Sequence, residues 1–272
     1  MRASWLVDAK WVAGLLCLLC LLAAGILYSV TALTARDTAT GIFTATVGGT
    51  VNSQLSDEEY AAVSAAAAAN PDAEYNVGAT TVTVKGSELA GLSKDQAVAL
   101  VMSRIAVVHY EQGPDAAEAL ITASGEDGEE FSIGPVRPLT RDTHDSMHPY
   151  FIGFAVAAVA LCAPLFFFSR RFGRLGSPGI VLMIGSAPFA LAWHLLDNAA
   201  AGITEEKGVF ASALAAAIRT PASDLSGAFT RLLFLGAGMT GAAILGHIAW
   251  PWAVRAYRKW VAPRLAAGTP VA

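Results

Sequence analysis

The chain has 272 residues, of which 54% are hydrophobic and 15% are charged, and its formal net charge is −4. Soluble proteins carry about 25% charged residues, so this composition excludes an ordinary soluble domain and predicts a mainly α-helical membrane protein. The three cysteines, Cys17, Cys20 and Cys162, all lie in apolar runs. A disulfide framework would instead fall in an exported polar segment, so we expect these thiols to be small packing groups.

Four runs without Asp, Glu, Lys or Arg are long enough to cross a bilayer, since about 20 apolar helical residues span its hydrocarbon core. They predict transmembrane helices at 11–35, 149–169, 175–196 and 232–254. Pro164 and Pro188 lie inside the second and third runs and predict kinks there. The first run could also be a cleaved signal peptide, but its apolar stretch is longer than a signal core, which favours a retained anchor.

The distribution of charge predicts the orientation in the membrane. The segments 1–10, 170–174 and 255–272 together hold nine basic residues and one acidic residue. The segment 36–148 holds six basic and seventeen acidic residues, and 197–231 holds three and four. Because basic residues in short loops stay on the cytoplasmic side, both termini and the 170–174 loop are predicted to be cytoplasmic and the other two segments extracytoplasmic, in the plasma membrane.

The predicted extracytoplasmic segment 36–148 has the pattern of a small α+β domain. Ser56 with Glu59, and Ser93 with Gln96, each match the capping box that opens a helix. The first helix is expected to end near Asn70 and Pro71, and the second at Gly113 and Pro114. The alternating stretch 80–85 predicts a strand, as do 43–47 and, after a turn at 125–130, the short run 131–133.

The second outer segment, 197–231, contains an apolar run at 209–218 that is too short to span. We expect an interfacial or re-entrant helix there. Thr220 and Pro221 then resemble the cap and first position of a separate helix that continues into the last span.

The residues nearest to chemistry lie at the predicted outer membrane boundary. Imidazoles and carboxylates are plausible ligands for zinc, copper or iron, and the topology brings two such groups to one depth. Pro149 disfavours a helix at His148, however, and these side chains could simply bind water and cap helix ends. The candidate metal ligands are His144, Asp145, His148, His194 and Asp197.

The last span carries two further patterns. Gly238, Ala242 and Gly246 recur every four residues and predict a face for close helix packing. Aromatic and basic side chains cluster where this span meets the cytoplasm, which is typical of contact with lipid headgroups. The predicted lipid-interface residues are Trp250, Trp252, Arg255, Arg258 and Lys259.

Three function classes remain after these observations. The leading one is a non-catalytic accessory, assembly or sensor subunit that contacts partners through its outer domain and membrane helices. The alternatives are a small transporter or channel component acting as an oligomer, and a metal or haem redox subunit using the outer histidines. No nucleotide-binding or hydrolase motif lies on a suitable element, the acidic domain argues against nucleic acid, and we expect no cofactor outside the redox alternative.

Overall fold

A computed structural model describes residues 4–121, 133–169, 172–203 and 208–260. Within these residues the protein is mainly helical, and four helices are long and apolar enough to cross a membrane. These helices are α1 (Ser4–Leu33), α7 (Arg141–Phe168), α8 (Gly173–Ala201) and α9 (Val209–Trp260). Their length and composition fit a multi-pass membrane protein.

The segment between α1 and α7 contains the shorter elements. They are α2 (Arg36–Gln54), α3 (Asp57–Ala69), β1 (Glu74–Asn76), β2 (Thr83–Lys85), α4 (Gly86–Leu89), α5 (Lys94–Gln112), α6 (Pro114–Glu118) and a 3₁₀ turn at Gly134–Val136. The two strands pair antiparallel, with Tyr75 opposite Val84.

The chain divides into two compact units. The first, which we call the bundle unit, comprises the described residues within 1–25, 152–191 and 227–272. The second, the domain unit, comprises those within 26–151 and 192–226. Each is described separately below.

In the bundle unit, α8 and α9 approach each other through glycines. A Cβ atom added at Gly236 would lie 2.6 Å from the carbonyl oxygen of Gly179 and 2.9 Å from the backbone nitrogen of Met183. A Cβ added at Gly179 would in turn lie 2.8 Å from the carbonyl oxygen of Gly236 and 2.6 Å from Thr240 Oγ1. The two backbones are therefore in contact, at a separation that no side chain larger than hydrogen permits.

The domain unit is built on the packing of α2 against α5. Phe43, Val47 and Val51 recur every four residues along α2, which places them on one helix face, and all three are buried. Met102 and Ile105 of α5 are fully buried in the same cluster. Burying such side chains contributes roughly 1.5–3 kcal/mol each, so this helix pair is the main source of the domain's stability.

The helix ends predicted from the sequence are present. Ser56 caps α3 and Ser93 caps α5, and in each box the residue three positions later, Glu59 or Gln96, bonds back to the cap. Helix α3 ends at Ala69 and α5 at Gln112, as expected. Part of the predicted 80–85 strand is also present, as β2.

The prediction of a strand at 43–47 is wrong, because these residues lie in the middle of α2. Phe43, Val47 and the two threonines between them give this stretch a strand-like composition, but the four-residue spacing of the buried side chains along α2 decides in favour of helix. The predicted turn at 125–130 lies outside the described residues, as does most of the strand-like run at 131–133.

Two predicted helix boundaries are absent. Helix α9 runs through Thr220 and Pro221 without interruption, and α7 begins at Arg141 and continues through His148 and Pro149. Proline inside a helix removes one backbone hydrogen bond and costs roughly 3 kcal/mol, which packing of the surrounding turns must offset. In α9 that packing is visible at Ala222 and Leu225, which are 0% and 1% exposed.

We predict that Gly236→Ala destabilises the protein, whereas Gly238→Ala does not. The added methyl at Gly236 would overlap backbone atoms of α8, and overpacking of this kind costs typically 1–3 kcal/mol. At Gly238 there is no described atom within 4 Å of the new Cβ. Thermal unfolding of the two variants in the same detergent measures the difference, and equal midpoints would contradict the contact between the α8 and α9 backbones.

One titratable side chain lies within the domain core. His109 of α5 is 1% exposed and its ring stacks on Phe43 with centroids 4.7 Å apart. Its Nε2 lies 3.1 Å from the carbonyl oxygen of Val136, and because a carbonyl can only accept, Nε2 must carry the proton. Nδ1 has no hydrogen-bond partner among the described residues, so a second proton there would be buried without an acceptor. Burial lowers the pKa of His109, opposed by weaker effects of Val136 and Glu118.

We therefore predict that acid destabilises the domain through His109. As the pH falls below the ordinary histidine pKa of about 6.5, the unfolded chain binds a proton that the folded one resists, so the unfolding free energy falls by up to about 1.4 kcal/mol per pH unit. Scanning calorimetry of the full chain between pH 7.5 and 5.5 should show this loss. His109→Phe should reduce the loss and the exposed His194→Gln should preserve it; an unchanged pH dependence in His109→Phe would contradict the assignment.

Candidate functional site

The first candidate site is the histidine pair on α7, within the domain unit. His144 Nδ1 lies 3.1 Å from the carbonyl oxygen of Thr31 and 3.3 Å from Thr34 Oγ1, both near the end of α1. Because the carbonyl can only accept, Nδ1 carries the proton and Nε2 is the nitrogen with a lone pair. A histidine that binds a metal commonly donates its other N–H to a backbone carbonyl in this way.

His148 lies one turn after His144 on the same helix, contrary to the expectation drawn from Pro149. The two imidazole rings stack with centroids 6.0 Å apart, and the ring of Phe151 follows at 6.2 Å from His148. Phe151 stacks on Tyr28 of α1 at 5.1 Å. The pair is thus one end of an aromatic row by which α7 packs on the last turns of α1.

Two of the remaining predicted metal ligands, Asp145 and His194, have other partners. Arg141 Nε donates to Asp145 at 3.3 Å, one turn earlier on α7. His194 Nε2 lies 3.1 Å from Asn198 Nδ2, and because that amide nitrogen donates, the imidazole lone pair is occupied. Asp197 lies on α8, one turn after His194. Within the described residues, no three His, Cys, Asp or Glu side chains form a group that could hold a metal ion.

A metal or haem site therefore stays a prediction that rests on the α7 pair. Two imidazoles with one available lone pair each fall short of the four ligands that zinc takes, whereas one imidazole is enough for the axial position of a haem iron. Metal analysis and the visible spectrum of the purified protein measure this alternative directly.

The second candidate site is a groove on the domain unit. It has a volume of about 320 Å³ and lies between the end of α2, the start of α3 and the residues after β1. Leu55 and Val63 contribute apolar side chains to its lining, and the polar lining residues are Gln54, Asn76 and Glu59. We call this the α3 groove.

The capping box of α3 fixes the charge at this groove. Glu59 Oε2 accepts hydrogen bonds from the backbone nitrogen of Ser56 at 2.9 Å and from its hydroxyl at 2.8 Å. These bonds lower the pKa of Glu59, the backbone bond having the larger effect, so the carboxylate is ionised well into the acidic range. Asp57 and Glu58 add two acidic residues in the same turn, and Asp57 pairs with Lys94 at 2.6 Å.

The predicted packing stripe of α9 divides between two directions. Gly246 meets the ring of Phe172, so it contacts the beginning of α8 within the bundle unit. Gly238 and Ala242 are exposed. The contact with α8 is instead made by Gly236 and Ala243, which are both buried and lie on a different face of α9 from Gly238 and Ala242. Close packing of another helix on Gly238 and Ala242 stays a prediction.

Aromatic and basic side chains are exposed along the last turns of α9, as a lipid interface requires. Trp252 is 70% exposed, and the Arg255 guanidinium lies 5.6 Å from the centre of its indole ring. The Trp250 ring makes an edge contact with Phe172 at 6.0 Å. Lys259 is exposed, and the side chain of Arg258 lies outside the described residues. Lipid contact at these positions stays a prediction.

The sequence did not reveal that two of the cysteines meet. Cys17 of α1 and Cys162 of α7 lie in the bundle unit with their sulfur atoms 3.8 Å apart, although 145 residues separate them along the chain. A residue pattern contains no signal for such a contact, because the faces on which two apolar helices meet depend on the packing of the whole bundle.

Comparison with known proteins gives no match to this chain among protein-family models, curated proteins or solved structures.

Proposed function

We propose that this chain is a multi-pass plasma-membrane protein that acts as a non-catalytic accessory, assembly or sensor subunit. The observation that supports this best is the domain unit, whose elements between α1 and α7 enclose a hydrophobic core of their own. Phe43, Leu89 and Ile105 are each 0% exposed in that core. A segment folded to this degree has a fixed surface, and a fixed surface lowers the entropic cost of binding a partner.

We further propose that the domain is extracytoplasmic and that both termini are cytoplasmic. The support is the charge difference: seventeen acidic and six basic residues in 36–148 against nine basic and one acidic in the three segments placed inside. Arg174, in the first turn of α8 next to the predicted cytoplasmic loop, is exposed.

The α3 groove is the proposed contact with a partner subunit. Its ionised Glu59 and two amides match an extended polypeptide segment that carries a lysine or arginine, because the carboxylate pairs with the cation and amides bond to backbone groups. Leu55 and Val63 supply apolar area beneath such a segment. A groove of this size accommodates a few residues, so the membrane helices would add the rest of the interface.

We predict that the domain is reached from outside the cell. In a variant with the three native cysteines replaced by alanine, Ser103→Cys on the exposed face of α5 should react with a membrane-impermeant maleimide on intact cells. Arg174→Cys should react after permeabilisation. Labelling of Arg174→Cys on intact cells would contradict the proposed orientation.

We also predict that a photo-crosslinking residue at Asn76, in the α3 groove, captures another membrane polypeptide in the native host, and that one at Ser103 does so much less. Glu59→Gln should weaken the capture several-fold, because it removes the charge and keeps the capping bonds. Gln96 performs the same capping role in α5 of this chain, so the variant should fold normally.

Several results would decide against this contact. Equal capture at Asn76 and Ser103, or capture that Glu59→Gln leaves unchanged, would remove the case for the α3 groove. Capture of a second copy of this chain in a symmetric oligomer would favour the transporter or channel alternative.

A further inference from the structure

Cys17 and Cys162 form a close thiol pair inside the apolar helices of the bundle unit. Cys17 Sγ lies 3.8 Å from Cys162 Sγ and 3.4 Å from the carbonyl oxygen of Ala158, one turn before Cys162 on α7. Cys17 is 2% exposed and Cys162 is half-buried. The two helices are close at this level, since a Cβ added at Gly14 would lie 3.5 Å from Leu165.

We propose that this pair is a redox site, in which Cys17 and Cys162 are oxidised to a disulfide that links α1 to α7. A disulfide bond is about 2.05 Å long, so the sulfur atoms need to approach by less than 2 Å from their present separation. The approach requires rotation about the Cα–Cβ bond of Cys162, which is the one bond that carries its sulfur.

The surroundings of the pair define the class of oxidant. Both cysteines lie inside helices that are apolar enough to cross a membrane, Cys17 within Ala9–Leu33 and Cys162 within Arg141–Phe168. A charged oxidant such as glutathione disulfide is excluded from hydrocarbon, whereas a lipid-soluble quinone dissolves in it. The half-buried Cys162 is the thiol that such a molecule reaches.

The reaction is a two-electron exchange. The two S–H bonds break and one S–S bond forms between Cys17 and Cys162. The two electrons and two protons released reduce one quinone to one hydroquinone, so the thiols and the quinone react in a ratio of two to one.

Cys20 is not part of the pair, and its replacement allows the reaction of Cys17 with Cys162 to be measured alone. It lies three residues after Cys17 on α1 and is half-buried. Replacing it with alanine leaves Cys17 and Cys162 as the two thiols of the chain, and replacing either member of the pair instead also leaves two. Three matched variants with equal thiol number follow from this.

The test uses the full chain in lipid nanodiscs with a short-tailed benzoquinone. After acid quenching and denaturation, free thiols are counted with a maleimide of high mass. Cys20→Ala should lose both thiols together and reduce one quinone per chain, and peptide mapping should recover a Cys17–Cys162 link. Cys17→Ala and Cys162→Ala should each retain two thiols.

Three outcomes would overturn the proposal. Cys20→Ala that keeps two free thiols under excess quinone shows that the pair does not react. Equal thiol loss in the two control variants shows that the quinone oxidises or alkylates cysteines without regard to the pair. Disulfide-linked dimers in place of the intramolecular link show that the reacting sulfurs belong to two chains.

Discussion

Helices α8 and α9 meet where the carbonyl oxygen of Gly179 lies only 2.6 Å from the point at which a side chain of Gly236 would begin. In lipid the surrounding chains are as apolar as the side chains, so burying apolar area provides little drive for helices to associate. What remains is dispersion between closely packed atoms, which falls steeply with distance and therefore favours residues without a side chain. The same solution recurs in the bundle unit at Gly185, which meets Leu21, and at Gly25, which meets Phe189.

The domain unit is stabilised by the burial of large apolar side chains and not by close contact between backbones. Its core side chains are large, and Phe43, Met102 and Ile105 gain their free energy from leaving water. His109 belongs to this core, and its Nδ1 has no partner among the residues that the structure describes, at a cost that an apolar residue would avoid. Its bond to Val136 ties the segment before α7 to α5, which gives the imidazole a structural reason to be present.

The sequence predicted the parts of the fold that depend on local chemistry. The capping boxes at Ser56 and Ser93 are present, because a hydroxyl and a carboxylate or amide three residues apart satisfy the same backbone groups in any context. The stretch at 43–47 was predicted as a strand because its composition favours a strand. It is helical because its tertiary contacts favour a helix, and these contacts cannot be read from composition. Among the candidate metal ligands, the pairing of His144 with His148 was missed, since the packing of α7 on α1 outweighs the local effect of Pro149.

Proline shows most clearly the difference between features that local chemistry determines and features that tertiary packing determines. Three prolines, Pro149, Pro188 and Pro221, lie inside continuous helices. A helix boundary was expected at Pro149 and at Pro221. In water a helix interrupted at proline can exchange the lost backbone bond for bonds to solvent, and the chain turns at little cost. At Pro188, inside a helix apolar enough to cross a membrane, an unpaired backbone group in lipid would cost several kcal/mol, so one missing bond is cheaper than the several that a turn would expose. Pro221 lies in the segment that we place outside the membrane, and there the buried neighbours Ala222 and Leu225 hold the helix together. Within apolar segments, therefore, proline is a weak predictor of where a helix ends, and the charge-free run predicts only the apolar part of the helix, since α9 extends from Val209 to Trp260 around a charge-free run at 232–254.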